Sequence, residues 1–221
     1  SAILLTVAGS IAAAALIAFN LSTSNAQAPS NPVSSLQQLQ QYRDQLISQP
    51  LQPDPGLIQN MLSNKLTGIL GGDLSDYQRN ILSDGTITLA EYRQAESDWR
   101  TCMNSYGLNM PPMQLDIFAQ YNVEYSTPGN LQDVMLAAKA KCDLEYTSAV
   151  SMAWSNATES LQAKIGQTER AAAGQCLAAE GYSPKDVDPS GPYTAVNQAY
   201  ATCEQSVLDS LGTSTFLAGG S

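Results

Sequence analysis

The sequence predicts an all-α protein, in which a single N-terminal transmembrane helix precedes a disulfide-stapled bundle of two repeated helical hairpins. Three observations lead to this prediction. An apolar run opens the chain, apolar residues at helical spacing recur through most of the rest, and four cysteines fall into two halves that echo each other. No alternation of apolar and polar residues is long enough to predict a strand of useful length.

The apolar run extends from Ala2 to Phe19 without a charged residue, which is at the short end of what spans a bilayer. The stretch Asn25–Ala28 offers the small-residue pattern of a signal-peptidase site, so a cleaved signal peptide is the alternative. Pro29, directly after it, argues against cleavage. We therefore expect a retained anchor at residues 1–20 and a tether rich in Ser, Asn, Ala and Pro at residues 21–33.

Small residues spaced four apart line the predicted anchor, including Ala8 with Ala12 and Gly9 with Ala13. Such a face lets membrane helices approach closely, so we expect these residues to pack against a neighbouring helix. A weakly hydrophobic export segment is the alternative. The first Lys or Arg is Arg43, so the flank after the anchor lacks the charge that would hold it in the cytoplasm. We expect a single-pass protein of the cell membrane with its body on the extracytoplasmic side, and a basic leader ahead of the printed sequence.

Helix signals in the body begin after the tether. Ser34 or Ser35 can cap a helix that runs to about Gln49, where a Pro-rich stretch ends it. Two shorter helices are expected at residues 57–70 and 74–82.

Capping motifs predict the later helices. Thr88-x-x-Glu91 is a capping box that begins a helix ending at Gly107. Helix signals resume at residue 130, and a second capping box, Asn156-x-x-Glu159, predicts that a new helix begins there and ends at Gly181. A last helix is expected at residues 194–211.

The two halves of the body repeat one arrangement of cysteines. In each half a cysteine lies five residues before a helix-ending glycine, Cys102 before Gly107 and Cys176 before Gly181. A second cysteine, Cys142 or Cys203, then falls inside the following helix. Four cysteines allow three pairings, and the repeat favours the local one, Cys102 with Cys142 and Cys176 with Cys203. Four free thiols in a cytosolic protein are the alternative, which the anchor and the paired layout disfavour.

Two motifs of the body resemble those of exported or membrane-tethered helical proteins of actinobacteria. These proteins carry Asp-Gly-x-Ile-Ser/Thr-x-x-Glu-Tyr and then Cys-Met/Leu-x-x-x-Gly, which here are residues 84–92 and 102–107. The resemblance covers about residues 80–107 and, more weakly, 170–205. It implies export and disulfides but no assigned activity. Accessory proteins of this kind occur in respiratory assemblies such as the cytochrome bc-oxidase supercomplex, which is therefore the host that the resemblance suggests.

Residues 80–91 can be aligned with an EF-hand calcium loop, with Asp84, Gly85 and Glu91 at the expected positions. Leu82 stands where the loop requires an oxygen ligand. The capping box already accounts for Thr88 and Glu91, so calcium binding is the minor alternative.

The composition excludes several kinds of chemistry. The chain has no histidine, which removes Ser-His and Cys-His nucleophiles, and its separated cysteines do not form the usual zinc or haem motifs. A net charge of -10 opposes nucleic-acid binding. Carboxylates could serve glycoside hydrolysis, but solvated helix faces account for them better; the acids considered are Asp116, Glu124, Asp143 and Glu145.

We therefore predict no enzymatic activity, no cofactor and no metal. The predicted function is that of a non-catalytic accessory subunit that docks on the outer face of an integral membrane protein complex. The alternative is a membrane-tethered extracytoplasmic module that binds an envelope polymer or a small ligand, and an exported carboxylate hydrolase is a third hypothesis. The predicted organisation is an anchor at 1–20, a tether at 21–33, N-terminal helices at 34–83, and disulfide hairpin repeats at 84–165 and 166–221.

Overall fold

The computed structural model describes residues 32–116, 118–122, 131–188 and 194–211. The described chain is mainly helical, as the sequence predicts. A π-helical segment joins α6 to α7, a short 3-10 turn precedes α8, and two very short strands pair antiparallel. The elements are α1 Pro32–Ser48, α2 Pro55–Leu62, α3 Thr67–Leu70, α4 Asp76–Leu82, α5 Leu89–Ser105, β1 Gln114–Leu115, β2 Tyr121–Asn122, α6 Gln132–Cys142, the π segment Asp143–Thr147, α7 Ser148–Ala179, the 3-10 turn Pro184–Asp186 and α8 Ala195–Ser210.

None of the helices in the described part of the chain is long and apolar enough to cross a membrane. The predicted anchor at residues 1–20, with Ala8, Gly9, Ala12 and Ala13, lies outside the described residues. So does the predicted tether, except for its last two residues, which begin α1.

The predicted boundaries of α5 and the predicted start of α8 are confirmed, whereas the cap expected at Ser34 or Ser35 is wrong because α1 already begins at Pro32. At the start of α5, the Thr88 hydroxyl accepts a hydrogen bond from the Glu91 amide at 3.2 Å. The Glu91 carboxylate in turn accepts one from the Thr88 amide at 2.8 Å, which completes the capping box. Gly107 follows the end of α5 with φ +79°, a conformation that favours glycine. Thr194 caps α8 by accepting from the Asn197 amide at 3.3 Å.

The single helix expected at residues 57–70 is wrong. The chain forms two helices there, because Asn64 adopts φ +54° and interrupts the helical path between them. The side-chain oxygen of Asn64 instead binds the region of α4. It accepts hydrogen bonds from the Leu74 amide at 3.2 Å and from the Arg79 guanidinium at 3.3 Å. Leu74 and Arg79 are 10 and 15 residues away in sequence, so the residues around Asn64 do not reveal these contacts.

The second predicted capping box is also wrong, since α7 passes through Asn156 without a break. The Asn156 side chain accepts a hydrogen bond of 2.7 Å from the amide of Asp54, so it binds a distant loop. The irregularity in this part of the chain lies directly before α7, at the π segment. The same long helix runs across residue 165, where the sequence suggested a boundary between the two repeats.

The main core lies between α7 and the helices that pack on it. At its centre Trp154 is fully buried and stacks on Tyr92, with ring centroids 5.1 Å apart. The Trp154 indole also donates to the Ala119 carbonyl at 2.9 Å, which attaches the turn between β1 and β2 to the core. Smaller apolar clusters surround each cysteine pair. The main cluster includes Leu39, Leu46, Ile58, Met61, Leu82, Ile87, Ala153, Ile165 and Val207.

Two long-range contacts join segments that are far apart in the sequence. The guanidinium of Arg43 in α1 donates a hydrogen bond to the Leu211 carbonyl at the end of α8. Leu51 and Ile87 exchange two backbone hydrogen bonds of 2.8 and 2.9 Å, which join the loop before α2 to the loop before α5. The first and last described helices therefore belong to the same packed unit.

Candidate functional site

The four cysteines form two disulfides in the pairing that the sequence repeat favours. Cys102 is bonded to Cys142 with a Cα–Cα distance of 5.8 Å, and Cys176 is bonded to Cys203 with a distance of 5.7 Å. The first joins α5 to α6, and the second joins α7 to α8. Both Cα–Cα distances lie within the usual range for disulfides.

Glu180 lies beside the second disulfide, and one of its oxygens is within 4.8 Å of both sulfur atoms. A thiolate is the form of cysteine that binds a metal. Because Cys176 and Cys203 are bonded to each other, the group is not a metal site in this state.

A network of polar groups surrounds the π segment. A π-helical turn disturbs the regular ladder of main-chain hydrogen bonds, and such turns are frequent at functional sites. Gln78 of α4 has no exposed surface and is inserted at this irregularity. Its amide nitrogen donates to the Leu144 carbonyl at 2.6 Å, and its oxygen accepts from the amides of Ala149 at 2.7 Å and Val150 at 3.2 Å. The hydroxyl of Ser75 donates to the Glu145 carbonyl at 2.6 Å.

Asp143 begins the π segment and is held from two sides. Its carboxylate accepts a hydrogen bond of 2.6 Å from the Trp99 indole, and the Lys139 ammonium pairs with its other oxygen. Glu145 is exposed two residues further on. Asp116 instead accepts from the amides of Phe118 and Gln120, both at 2.9 Å, in the turn between β1 and β2.

The candidate acids of the sequence analysis thus occupy different settings. Asp143 and Glu145 share the π segment, Asp116 stabilises a turn, and Glu124 lies outside the described residues. The carboxylates of Asp143 and Asp116 accept hydrogen bonds from other parts of the fold. This arrangement is that of structural carboxylates.

Glu96 is a titratable group that the sequence reasoning missed. It lies on the buried side of α5 with 9% of its surface exposed and accepts a hydrogen bond of 2.8 Å from the Ser151 hydroxyl. Burial, helped by the negative charge of Asp143, raises the pKa of Glu96 to about 7, although the Ser151 hydrogen bond and the Lys139 charge oppose the rise. The sequence could have indicated that Glu96 is buried, because it lies on the same face of the helix as the apolar residues Tyr92 and Trp99.

A second buried glutamate lies between α7 and α8. Glu169 is 7% exposed, and Glu204 of α8 is near enough to act on it electrostatically. Burial raises the pKa of Glu169 to about 7, and the Glu204 carboxyl contributes, while Arg170 opposes the rise. The sequence analysis did not single out this pair because its two members come from different helices.

The residues of the calcium-loop alignment form a turn and a helix cap. The Asp84 carboxylate accepts from the amide of Thr86 at 2.9 Å and from its hydroxyl at 3.0 Å. Glu91 closes the capping box of α5. Leu82 is fully buried in the core. Each residue therefore has a local structural role.

A groove of about 600 Å³ lies between α2 and the turn that follows α4. Its volume is within the range of small-ligand pockets. Apolar and amide side chains line the α2 side, and the rim on the other side carries one carboxylate; the lining includes Gln52, Pro55, Ile58, Leu62 and Asp84.

Comparison with known proteins identifies no relative: no protein family, no curated protein and no solved structure matches the chain.

Proposed function

We propose that this protein is a non-catalytic accessory subunit that docks on the outer face of a membrane protein complex. The observation that carries the proposal is the pair of disulfides, each of which closes a local pair of helices. Disulfides persist in oxidising compartments and are rare in the cytosol. They support an extracytoplasmic body, and an apolar segment at residues 1–20 would attach that body to the membrane.

The polar interior supports a scaffold role. Carboxylates and amides around the π segment accept and donate hydrogen bonds to main-chain groups and to each other, as Gln78 and Asp143 do. Buried polar groups that are fully engaged specify one rigid packing. A rigid surface is what a docking subunit requires.

The proposal also includes a repeated hairpin in the body and a packing face on the anchor. The α5–α6 pair and the α7–α8 pair, each closed by one disulfide, are two copies of one stapled hairpin. In the membrane, Ala8, Gly9, Ala12 and Ala13 form the close-packing face of a transmembrane helix. A respiratory supercomplex of the cytochrome bc-oxidase type is the host suggested by the motif resemblance.

Two exposed apolar side chains are the contacts that we propose for docking. Ile69 in α3 is 69% exposed and Leu136 in α6 is 53% exposed, the highest values among the large apolar side chains that the structure describes. Burial of such side chains in an interface would contribute about 25 cal/mol per Å² of apolar surface.

Substitution of both residues tests the proposal. The double variant Ile69→Glu, Leu136→Glu should retain the wild-type circular dichroism spectrum but no longer migrate with a large complex on a native gel of mild-detergent extracts. The matched control, Gln167→Glu at an exposed position of α7, should migrate with the complex. If wild-type protein itself migrates alone, the subunit proposal is wrong.

The groove beside α2 favours a second candidate, a tethered module that binds a small ligand or an envelope polymer. Isothermal titration with soluble envelope-polymer fragments would distinguish the two candidates. Saturable heat that Gln59→Trp abolishes, by filling the groove from an exposed position of α2, would support the binding module.

A further inference from the structure

Three side chains that can bind a metal meet where the end of α7 packs against α8. The sulfur atoms of Cys176 and Cys203 and one carboxylate oxygen of Glu180 all lie within 4.8 Å of one another. Among the described residues, no other group of three Cys, Asp or Glu side chains is placed to share a metal ion. Within the same part of the chain, the disulfide between Cys102 and Cys142 therefore lacks a third ligand of this kind.

The main chain at the end of α7 holds Glu180 beside the disulfide. The Glu180 amide donates to the Cys176 carbonyl at 3.2 Å, so the two residues lie one helical turn apart on the same face. Gly181 follows with φ +87°, and the Tyr182 amide donates to the Leu177 carbonyl at 3.2 Å. Main-chain atoms thus form this helix end, and the Glu180 side chain is exposed.

The surroundings of the three side chains favour a bound cation. Cys203 is 1% exposed and packs with Ala173 and Leu177 in an apolar cluster, which keeps water from one side of the group. The exposed Glu180 lies on the other side, where a metal ion can enter from solvent. The last turn of α7 carries no basic residue, and the partial negative charge of a helix C-terminus attracts a cation.

Reduction of the disulfide would free both sulfur atoms for a metal. A dithiol reductant supplies two electrons and two protons, so that the S–S bond breaks, Cys176 and Cys203 become thiols, and the reductant closes its own disulfide. Zn²⁺ then displaces the two thiol protons and binds the thiolates.

The main-chain positions of the two cysteines are compatible with such a site. In a tetrahedral zinc site with Zn–S bonds of about 2.3 Å, two sulfur ligands lie about 3.7 Å apart. The Cα atoms of Cys176 and Cys203 are 5.7 Å apart. Rotation about the two Cα–Cβ bonds can therefore separate the sulfur atoms by the required distance without movement of the helices.

We propose that Cys176, Cys203 and Glu180 form a zinc site when the disulfide between α7 and α8 is reduced. Two thiolates and one carboxylate supply three protein ligands, and water completes the tetrahedron. The metal then replaces the covalent bond as the connection between the two helices. No short motif in the sequence indicates this site, because its ligands come from two helices. The site does not depend on the proposed docking role.

Metal titration of the reduced full-length chain in detergent tests the proposal. A phosphine serves as the reductant; it breaks each disulfide into two thiols and takes one oxygen atom from water to become a phosphine oxide. The probe is Co²⁺, whose visible absorption reports tetrahedral thiolate ligation. The reduced chain should bind a single Co²⁺ with this absorption, and Zn²⁺ should displace it. The oxidised chain should bind neither ion.

Variants make the test specific to this group. Glu180→Gln should weaken zinc binding at least about tenfold, because it removes a charged ligand and leaves the main-chain helix end in place. Cys203→Ser should abolish the cobalt absorption. Two controls should bind as wild type: Glu159→Gln, at an exposed position of the same helix, and Cys102→Ser, in the other cysteine pair.

Stability provides a second measurement. Zn²⁺ should raise the thermal unfolding temperature of the reduced chain, or restore its helical circular dichroism if reduction unfolds it, because the metal binds the folded state. It should do neither for reduced Cys203→Ser. Equal zinc affinity of Glu180→Gln and wild type, metal binding that Cys203→Ser retains, or no effect of Zn²⁺ on the reduced wild-type chain would overturn the proposal.

Discussion

The Gln78 side-chain amide donates a hydrogen bond of 2.6 Å to the main-chain carbonyl of Leu144, from a position with no exposed surface. Its oxygen accepts from the amides of Ala149 and Val150 on the other side of the π segment. One side chain therefore replaces main-chain hydrogen bonds across the irregular turn, which explains how a long helix can contain it.

Replacement of this amide should destabilise the body. Gln78→Leu would leave a buried carbonyl and two buried amides without their partner, and each lost partner costs about 1–3 kcal/mol. We expect the free energy of unfolding to fall by at least about 3 kcal/mol in urea titrations. The control Gln167→Leu, at an exposed position of α7, should change it by less than about 0.5 kcal/mol. A similar small change for Gln78→Leu would contradict the role assigned to this side chain.

The buried Glu96 should make stability depend on pH. The folded state raises its pKa from the ordinary value of 4.5 to about 7, so the folded protein retains a proton that the unfolded chain releases. Its contribution to stability is therefore largest below pH 4.5, declines as the pH rises and is lost above about pH 7. The decline should amount to about 3 kcal/mol.

Glu96→Gln should remove this part of the pH dependence and stabilise the protein at pH 8, because a neutral amide can keep the bond from Ser151. Thermal unfolding at several pH values measures the effect. Glu159→Gln is the control that should keep the wild-type slope. If Glu96→Gln and wild type show parallel pH profiles, Glu96 is ionised in the folded state at neutral pH.

The disulfides should break independently. Cys203→Ser should free Cys176 alone and leave Cys102 bonded to Cys142, and the body should lose about 2–5 kcal/mol of stability. Non-reducing peptide mapping should find one disulfide and one alkylatable thiol. A link from Cys102 or Cys142 to the other half in wild-type protein would contradict the local pairing.

Packing of the proposed anchor against a neighbouring helix should depend on its small residues. Replacement of Gly9 and Ala13 by Leu keeps the segment apolar but prevents close helix approach. Co-purification with the partner complex should weaken while the thermal unfolding of the body stays unchanged. The matched control Leu4→Ile, Leu5→Ile should co-purify normally. Unchanged stoichiometry in the Leu variant would remove the argument for a packed anchor.

Sequence reasoning succeeded where the determinants are local. The capping box of Thr88 and Glu91 spans three residues, and the cysteine repeat is visible in the printed sequence. It failed where a side chain binds a distant segment. Asn156 has the composition of a helix cap, yet its partner Asp54 is 102 residues away.

The π segment could not be predicted for the same reason. The stabilising contact joins residues 66 apart, and nothing in the composition of residues 143–147 indicates a wider turn. The proximity of Glu169 and Glu204 likewise arises only once α7 and α8 are packed together.

The central proposal is that this chain is a subunit of a membrane complex. The most direct measurement is quantitative mass spectrometry of an affinity-tagged full-length chain, purified from mild-detergent extracts of its native membranes. We predict a fixed molar ratio between the chain and the same set of integral membrane proteins, unchanged in high salt and at different expression levels. Recovery of the tagged chain alone, or with a set of proteins whose ratio varies between preparations, would contradict the account.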